Sequence, residues 1–235
     1  LSKEDKYTFA FKELAKDLGL PSNINRIETF DVSHLSGDSA IASCVVFSKT
    51  GSNKERYRLF NIPKEFSGND IGSLENVIKR RLKYFDNKDI KPELIVIDGG
   101  KTQLKFTRSI IKASTHNDIK VISIAKGGNR VRATETIFSV NGVVEFDKYS
   151  KSYLLLQEMR DEAHRFAISA QRKKKKTMLK QSKLDLIPGI GKVLKKKLLN
   201  KFKNIKSISE ASIEDLMTIN GINEKIAKEI KIKLI

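Results

Sequence analysis

The segment Leu94-Ile95-Val96-Ile97 carries no polar side chain and is cut off by Asp98-Gly99-Gly100-Lys101. A short run of branched apolar residues ending at a glycine turn reads as a strand buried on both faces, the kind found inside a parallel sheet. Its surroundings agree. A strand is predicted over 93–98, a helix over 101–113 and a second strand over 119–125, an order that calls for parallel neighbours joined by a right-handed crossover. An earlier apolar segment, Ile27 to Val32, holds Asp31 in a comparable place. Two carboxylates therefore sit on two strands that can lie side by side in one sheet.

Around this unit the patterning predicts three strands near 26–34, 39–48 and 54–61, separated by Ser-Gly-Asp and Thr-Gly-Ser-Asn turn chemistry that implies an antiparallel meander. A helix over 70–86 repeats Ile71, Leu74, Ile78, Leu82 and Phe85 at helical spacing, with basic residues on its outer face. Residues 136–147 read as a hairpin through Asn141-Gly142, and 151–171 as a long helix with a core stripe of Leu155, Met159, Ala163, Phe166 and Ala170. The fold class is α/β, a mixed sheet flanked by helices. Beyond about residue 181 an internal repeat appears: Ile187-Pro188-Gly189-Ile190-Gly191 recurs as Ile219-Asn220-Gly221-Ile222-Asn223, each followed by a short helix, which is a pair of helix-hairpin-helix motifs in a small all-α domain. The expected organisation is a residual N-terminal helix and linker over 1–23, with the helix ending at Gly19 before Pro21, an α/β domain over 24–171, a basic linker or exposed helix end over 172–180, and the hairpin domain over 181–235. The chain starts at Leu1, and a piece of a longer protein is expected.

Charge narrows the partner. The formal net charge is +18, and the basic residues cluster at Lys79, Arg80, Arg81 and Lys83, at Arg172 to Lys176, and at Lys192, Lys195, Lys196, Lys197, Lys201 and Lys203. Clustered excess of this kind matches a polyanion, most often nucleic acid. No apolar stretch approaches the roughly 18 residues of a membrane span, and no secretory signal is visible. The single Cys44 excludes an internal disulfide and a cysteine-ligated metal site, and fits a small core residue in a reducing cytoplasm.

Two carboxylates held close together repel, and a divalent cation relieves that repulsion while activating a water. Oxygen ligands of this type suit Mg2+ or Mn2+. The alternative for Asp98 is a helix cap or hairpin turn. His164 lies one position off the stripe of its helix, beside Gln157, Asp161 and Ile168, where a hydrogen-bonded partial-core role competes with a catalytic one. His34 follows Asp31 by three residues and could support it, and His116 reads as a surface-loop residue. Lys126, at the end of Val121 to Ala125, stands either at a phosphate or in solvent. A nucleotide P-loop at Asp98 to Lys101 is excluded by spacing. In the hairpins, Gly189, Gly191 and Gly221 allow backbone amides to reach a phosphate without obstruction. Lys192, Lys195, Lys196 and Lys225 would add contacts that position without reading sequence. Asn223 stands where the first hairpin has Gly191, so the second is expected to bind phosphate less well. A helical protein-protein module is the competing reading of this tail.

The segments Phe30-Asp31-Val32-Ser33-His34, Ile97-Asp98-Gly99-Gly100-Lys101, Ala125-Lys126-Gly127 and Arg160-Asp161-Glu162-Ala163-His164-Arg165-Phe166, in this order and followed by the tandem hairpins, resemble the C-terminal half of UvrC, the nuclease subunit of bacterial nucleotide excision repair. The resemblance runs from about Ile24 to the end. It implies a ribonuclease H-like endonuclease domain making the incision 5′ to a DNA lesion, with Asp31, Asp98 and His164 as metal-binding catalytic triad and Lys126 as a further functional lysine. It also implies damaged double-stranded DNA and a UvrB-DNA complex as partners of the full-length protein. In the family a GIY-YIG nuclease domain and a UvrB-interacting segment lie upstream. Neither is recognisable here, so 3′ incision is not expected of this chain. Departures from the family are the stretch Gly127 to Arg132 and the altered second hairpin. A non-catalytic DNA-binding repair scaffold is the alternative function, and an RNA-processing enzyme of the same fold a weaker one.

Overall fold

The computed structural model describes residues 3–34, 40–66, 68–87, 90–125 and 135–234, with the side chains of residues 3, 4, 34, 87 and 175–183 excepted. The chain divides into two compact units, Leu1–Gln171 and Arg172–Ile235.

The first unit holds α1 (Lys3–Asp17), β1 (Arg26–His34), β2 (Ala40–Ser48), β3 (Gly51–Ser52), β4 (Arg58–Asn61), α2 (Asp70–Asn87), β5 (Leu94–Asp98), α3 (Lys101–Lys112), β6 (Lys120–Ala125), β7 (Thr136–Ser139), β8 (Gly142–Val144) and the start of α4 (Lys151–Asp185). The strands form one eight-stranded sheet in the order β3-β2-β1-β5-β6-β7-β8, with β4 also pairing β2. β1 and β2 are antiparallel. β1, β5 and β6 run parallel at the centre, and β7 and β8 are antiparallel to their neighbours. This is the ribonuclease H-like mixed sheet.

Because β5 lies between two parallel partners, both its faces are covered. Leu94 and Val96 enter one core with α1 and α4, through Phe11, Leu14, Leu156, Met159 and Ala163. Ile95 and Ile97 enter the opposite core with α2 and α3, through Leu74, Ile78, Leu104 and Ile111. Alternation of side chains along a strand therefore decides which residues meet α4. On β1, Ile27 belongs to the α4 core and Phe30 to the α2 core, so odd-numbered positions, Asp31 among them, face α4.

Three expectations change. The strand over 54–61 is broken: a 3-10 turn at Lys54–Arg56 separates β3 from β4, because Asn53-Lys54-Glu55-Arg56 offers no apolar side chain for the sheet to bury. The helix expected to stop at 171 runs on to Asp185. Nothing between Arg172 and Asp185 is Gly or Pro, and its Lys, Gln, Met and Leu are good helix formers, so of the two readings of 172–180, a linker or a helix end, the helix holds. Arg81, read as part of an outer basic cluster, is instead 1% exposed. Its guanidinium donates to both carboxylate oxygens of fully buried Glu28, at 2.7 and 2.9 Å. Arg26 donates to the same carboxylate at 2.7 Å. The helical spacing of α2 places Arg81 beside Leu74, Val77 and Ile78 on the inward face, and the sheet supplies its counter-charge. Fully buried Cys44 lies against Glu28, and burial pushes its thiol pKa well up.

The expected hairpin forms with its turn at Val140-Asn141. Gly142, at φ +118°, opens β8 opposite Ser139.

The second unit holds the end of α4, α5 (Lys192–Phe202), α6 (Ile205–Glu210), α7 (Ile213–Met217) and α8 (Glu224–Leu234), around a core of Leu184, Ile187, Leu198, Ile208, Leu216, Ala227 and Ile230. Among the described residues no helix is long and apolar enough to cross a membrane.

Candidate functional site

The last paired residues of β1 and β5 are Phe30 and Ile97. One step further on, Asp31 and Asp98 lie side by side, Asp98 as the last residue of β5 and Asp31 where β1 runs on past its parallel partner, both at positions whose parity turns them towards α4. The N-cap of α3 is Gly100, and the chain leaves β5 into a helix rather than a hairpin, so neither bland reading of Asp98 applies.

His164 arrives from α4, and one contact sets its height. Ser43 lies directly across the β1–β2 ladder from Asp31, and its buried hydroxyl donates to the Ala163 carbonyl at 2.9 Å. Ala163 is fully buried against the sheet, which leaves the next residue above the carboxylates. Tyr57 adds a second tie, donating to Glu162 at 3.0 Å and packing edge-on against Phe166. Arg165 beside Glu162 pulls that carboxyl below its ordinary range, while burial pushes the Tyr57 phenol up.

The result is a cluster in which one ligand atom each of Asp31, Asp98 and His164 lies within 4.8 Å of the others. His164 Nδ1 is 3.3 Å from Asp31 Oδ2, and Ser33 donates to the same oxygen at 2.8 Å. Asp31 is buried, Asp98 half-buried and the imidazole half-exposed, so the cluster opens to solvent on one side. Two carboxylates and a neutral imidazole are a donor set for a hard or borderline divalent cation. The grouping of these donors, with two hard carboxylate oxygens among them, fits a site that would hold Mg2+ or Mn2+ through Asp31, Asp98 and His164.

Lys126 and the stretch Gly127 to Arg132 lie outside the described residues, as does the side chain of His34. His116 is bonded to Asp86 at 2.8 Å and stacked edge-on against Phe85, far in sequence from the cluster. Sequence reasoning missed Ser43, whose signal was a lone hydroxyl within an otherwise apolar run. It also missed Asp70 and Gln103, which line a cavity of about 40 Å3 with Asp98, Phe30 and Val32. Asp70 opens α2 and reads in sequence as an ordinary acidic first-turn residue.

In the second unit Gly189 and Gly221 both have positive φ, +87° and +105°. The two hairpins pack reciprocally. A side chain on Gly189 would meet Ile226 of α8, and one on Gly221 would meet Leu194 of α5, partners related by the same offset as the repeat. The helix starts differ. Gly191 caps α5 with no side-chain bond, whereas the Asn223 side chain accepts from Ile226 N–H at 2.9 Å. One amide free for a phosphate in the first hairpin is already bonded in the second. Lys192, Lys196 and Lys225 are exposed. Lys195 is held by Asp185 at 2.6 Å, Lys197 reaches the Asn220 carbonyl and Lys201 the Thr218 hydroxyl, so part of the third basic cluster is spent inside the unit.

A ribonuclease H-like sheet with an acid-acid-imidazole cluster carried by two adjacent parallel strands and the helix packed on them, followed by tandem helix-hairpin-helix motifs, defines a nuclease class. Residues 15–168 match the family described as the UvrC RNAse H endonuclease domain, and residues 182–234 the SAM-like helix-hairpin-helix tandem; the chain belongs to the UvrC family. Among relatives, the UvrABC system protein C of Legionella pneumophila (strain Lens) is 36% identical over 232 residues, and that of Nitrosococcus oceani is 39% identical over 232 residues. Each alignment covers 98% of this chain and 38% of the relative, so the chain spans well under half their length. An endonuclease V of Streptomyces avermitilis is 15% identical with a TM-score of 0.40, covering 73% of this chain and 94% of that one, a likeness too weak to carry an inference.

Proposed function

We propose that this chain is the part of a nucleotide excision repair nuclease that makes the 5′ incision at damaged double-stranded DNA, using Mg2+ or Mn2+ held by Asp31, Asp98 and His164. The observation that supports it is the convergence of those three side chains within 4.8 Å, at the edge of the sheet in a member of the UvrC family. When bound, the cation offsets the carboxylate charge and supplies an activated water for attack on a phosphodiester. Asp31 is fixed for ligation by Ser33 and by its place opposite Ser43. His164, half-exposed, is placed either to complete the ligand set or to move a proton at its ring nitrogen. Lys126, the residue after β6 in sequence, serves to balance phosphate charge. Gly189, Gly191, Lys192 and Lys196, and more weakly Gly221, Asn223 and Lys225, hold the duplex without reading its sequence; Lys195 joins them only if it leaves Asp185. In the longer protein the substrate is delivered with UvrB, in the cytoplasm.

The test is nicking of a lesion-bearing duplex under Mg2+ and Mn2+ titration. Asp31→Asn and Asp98→Asn are expected to lower the rate by about a hundredfold or more with DNA occupancy kept. Equal cutting by either variant at equal occupancy defeats the assignment.

A further inference from the structure

The helix α3 reads Lys101-Thr-Gln-Leu-Lys105-Phe-Thr-Arg108-Ser-Ile-Ile-Lys112 and contains no acid. Its four cations are spaced by four, three and four residues. At about 100° per residue they fall within about 60° of one another around the helix, a single stripe about 16 Å long. The buried side chains Leu104, Thr107 and Ile111 fall on the neighbouring face, about 100° round the helix, and all four cations are exposed. Lys101, Lys105, Arg108 and Lys112 line a groove of about 370 Å3 with Ser109, and the tip of the β7–β8 hairpin, Ser139 and Val140, forms its other wall.

Some exposed cations elsewhere pair with acids: Lys79 with Glu75, Lys91 with Asp118, Lys206 with Glu210 and Lys228 with Glu224. Among the described residues the four on α3 have no ion pair and no side-chain hydrogen bond. Four like charges at this spacing repel, a cost that surface helices ordinarily relieve with an interleaved acid. The stripe also begins three residues after Asp98, at the edge where the acid cluster lies.

We infer that the outer face of α3 is a track for the phosphate backbone of duplex DNA, leading away from the Asp31-Asp98-His164 cluster. The inference rests on the nucleic-acid reading above. One strand presents a charge about every 3.4 Å along the helix axis, so the stripe spans about four or five phosphates. The hydroxyls of Ser109 and Ser139 supply neutral donors to the same groove. An acidic protein segment is the other polyanion that could lie there, but a regular row of cations with a narrow apolar floor matches a repeating phosphate more closely than a folded acidic surface.

The test uses the full chain carrying Lys105→Gln, Arg108→Gln and Lys112→Gln together. Its binding to a short duplex is measured in EDTA, so that no strand is cut, from about 50 to 200 mM salt. A charge-matched control carries Lys79→Gln, Lys91→Gln and Lys206→Gln. Each phosphate contact contributes about 0.9 to the slope of log affinity against log salt, so the α3 variant is expected to lose about two to three from that slope. The single Arg108→Gln should lose about one, and the control little. The replaced side chains are exposed, and circular dichroism verifies that the fold is kept. A slope equal to the parent's, or lowered no further than the control's, overturns the track. So does a variant that keeps its DNA slope but loses retention on immobilised polyglutamate, which assigns the stripe to protein. Failure of the nuclease reading shows elsewhere, as equal cutting by the parent and Asp98→Asn, and leaves these slopes unaffected.

Discussion

The sheet edge and the hairpins organise function on opposite terms. Asp31, Asp98 and His164 come from three distant points of the chain and meet only because β1, β5 and α4 pack around one shared core. Each hairpin carries its glycines, helix start and lysines within about a dozen consecutive residues. The first arrangement depends on the whole unit, so a distant defect can dissolve it. In the second, the defects that matter are local, apart from one reciprocal contact between the repeats.

The sharpest way to break this contrast is Arg81→Ala, which never touches the acid cluster. It strips one partner from buried Glu28 and is expected to cost about 3–5 kcal/mol. Denaturation should show the first unit destabilised and cutting lost, while salt-dependent DNA binding through the hairpins persists. If binding disappears in step with cutting, the two regions are not energetically separate.

Next in size, His164→Ala should leave stability near the parent's, since the ring is half-exposed, yet lower nicking by about a hundredfold. Nicking rate and melting temperature, measured side by side, separate the two effects.

The two turn glycines give a crossed result. A Cβ at Gly221 would lie 2.8 Å from Leu194 Cδ2, against 3.1 Å from Ile226 at Gly189, and both positions have positive φ. Gly221→Ala should therefore cost more stability, about 1–3 kcal/mol. Gly189→Ala should cost more DNA affinity, because its helix start is the uncapped one. Melting and anisotropy on the same pair of variants decide this.

The smallest effect is at the caps. Asn223→Gly releases Ile226 N–H and should raise duplex affinity by about two- to tenfold, one hydrogen bond's worth, for a few tenths of a kcal/mol of stability. Gly191→Asn should do the reverse. Titration of both variants shows whether the hairpins differ for the reason given.

Much of this was legible in the residues. The apolar run before Asp98 announced a doubly covered parallel strand, and the repeat at 187–191 and 219–223 announced the hairpins, because both signals are carried by neighbours in sequence. What failed to show depended on distant partners. Arg81 looked like one more surface cation because its counter-charge, Glu28, lies 53 residues away. Ser43 looked like a tolerated hydroxyl in an apolar strand because its acceptor is on α4. The end of α4 was set too early, near residue 171, with 172–180 left between linker and helix end, because charge density resembles a linker, whereas a helix stops only where a breaker or an unsatisfied end makes it stop.

Local chemistry alone settled where most strands and helices arise, which carboxylates they carry and how the hairpin glycines turn, since periodicity and backbone freedom act over a few residues. Packing decided that two acids and an imidazole share one pocket, that one arginine is buried while its neighbours are wet, and that four cations on α3 line an open groove. Those outcomes depend on which faces meet across the sheet, and a face acquires its partner only when the whole core closes.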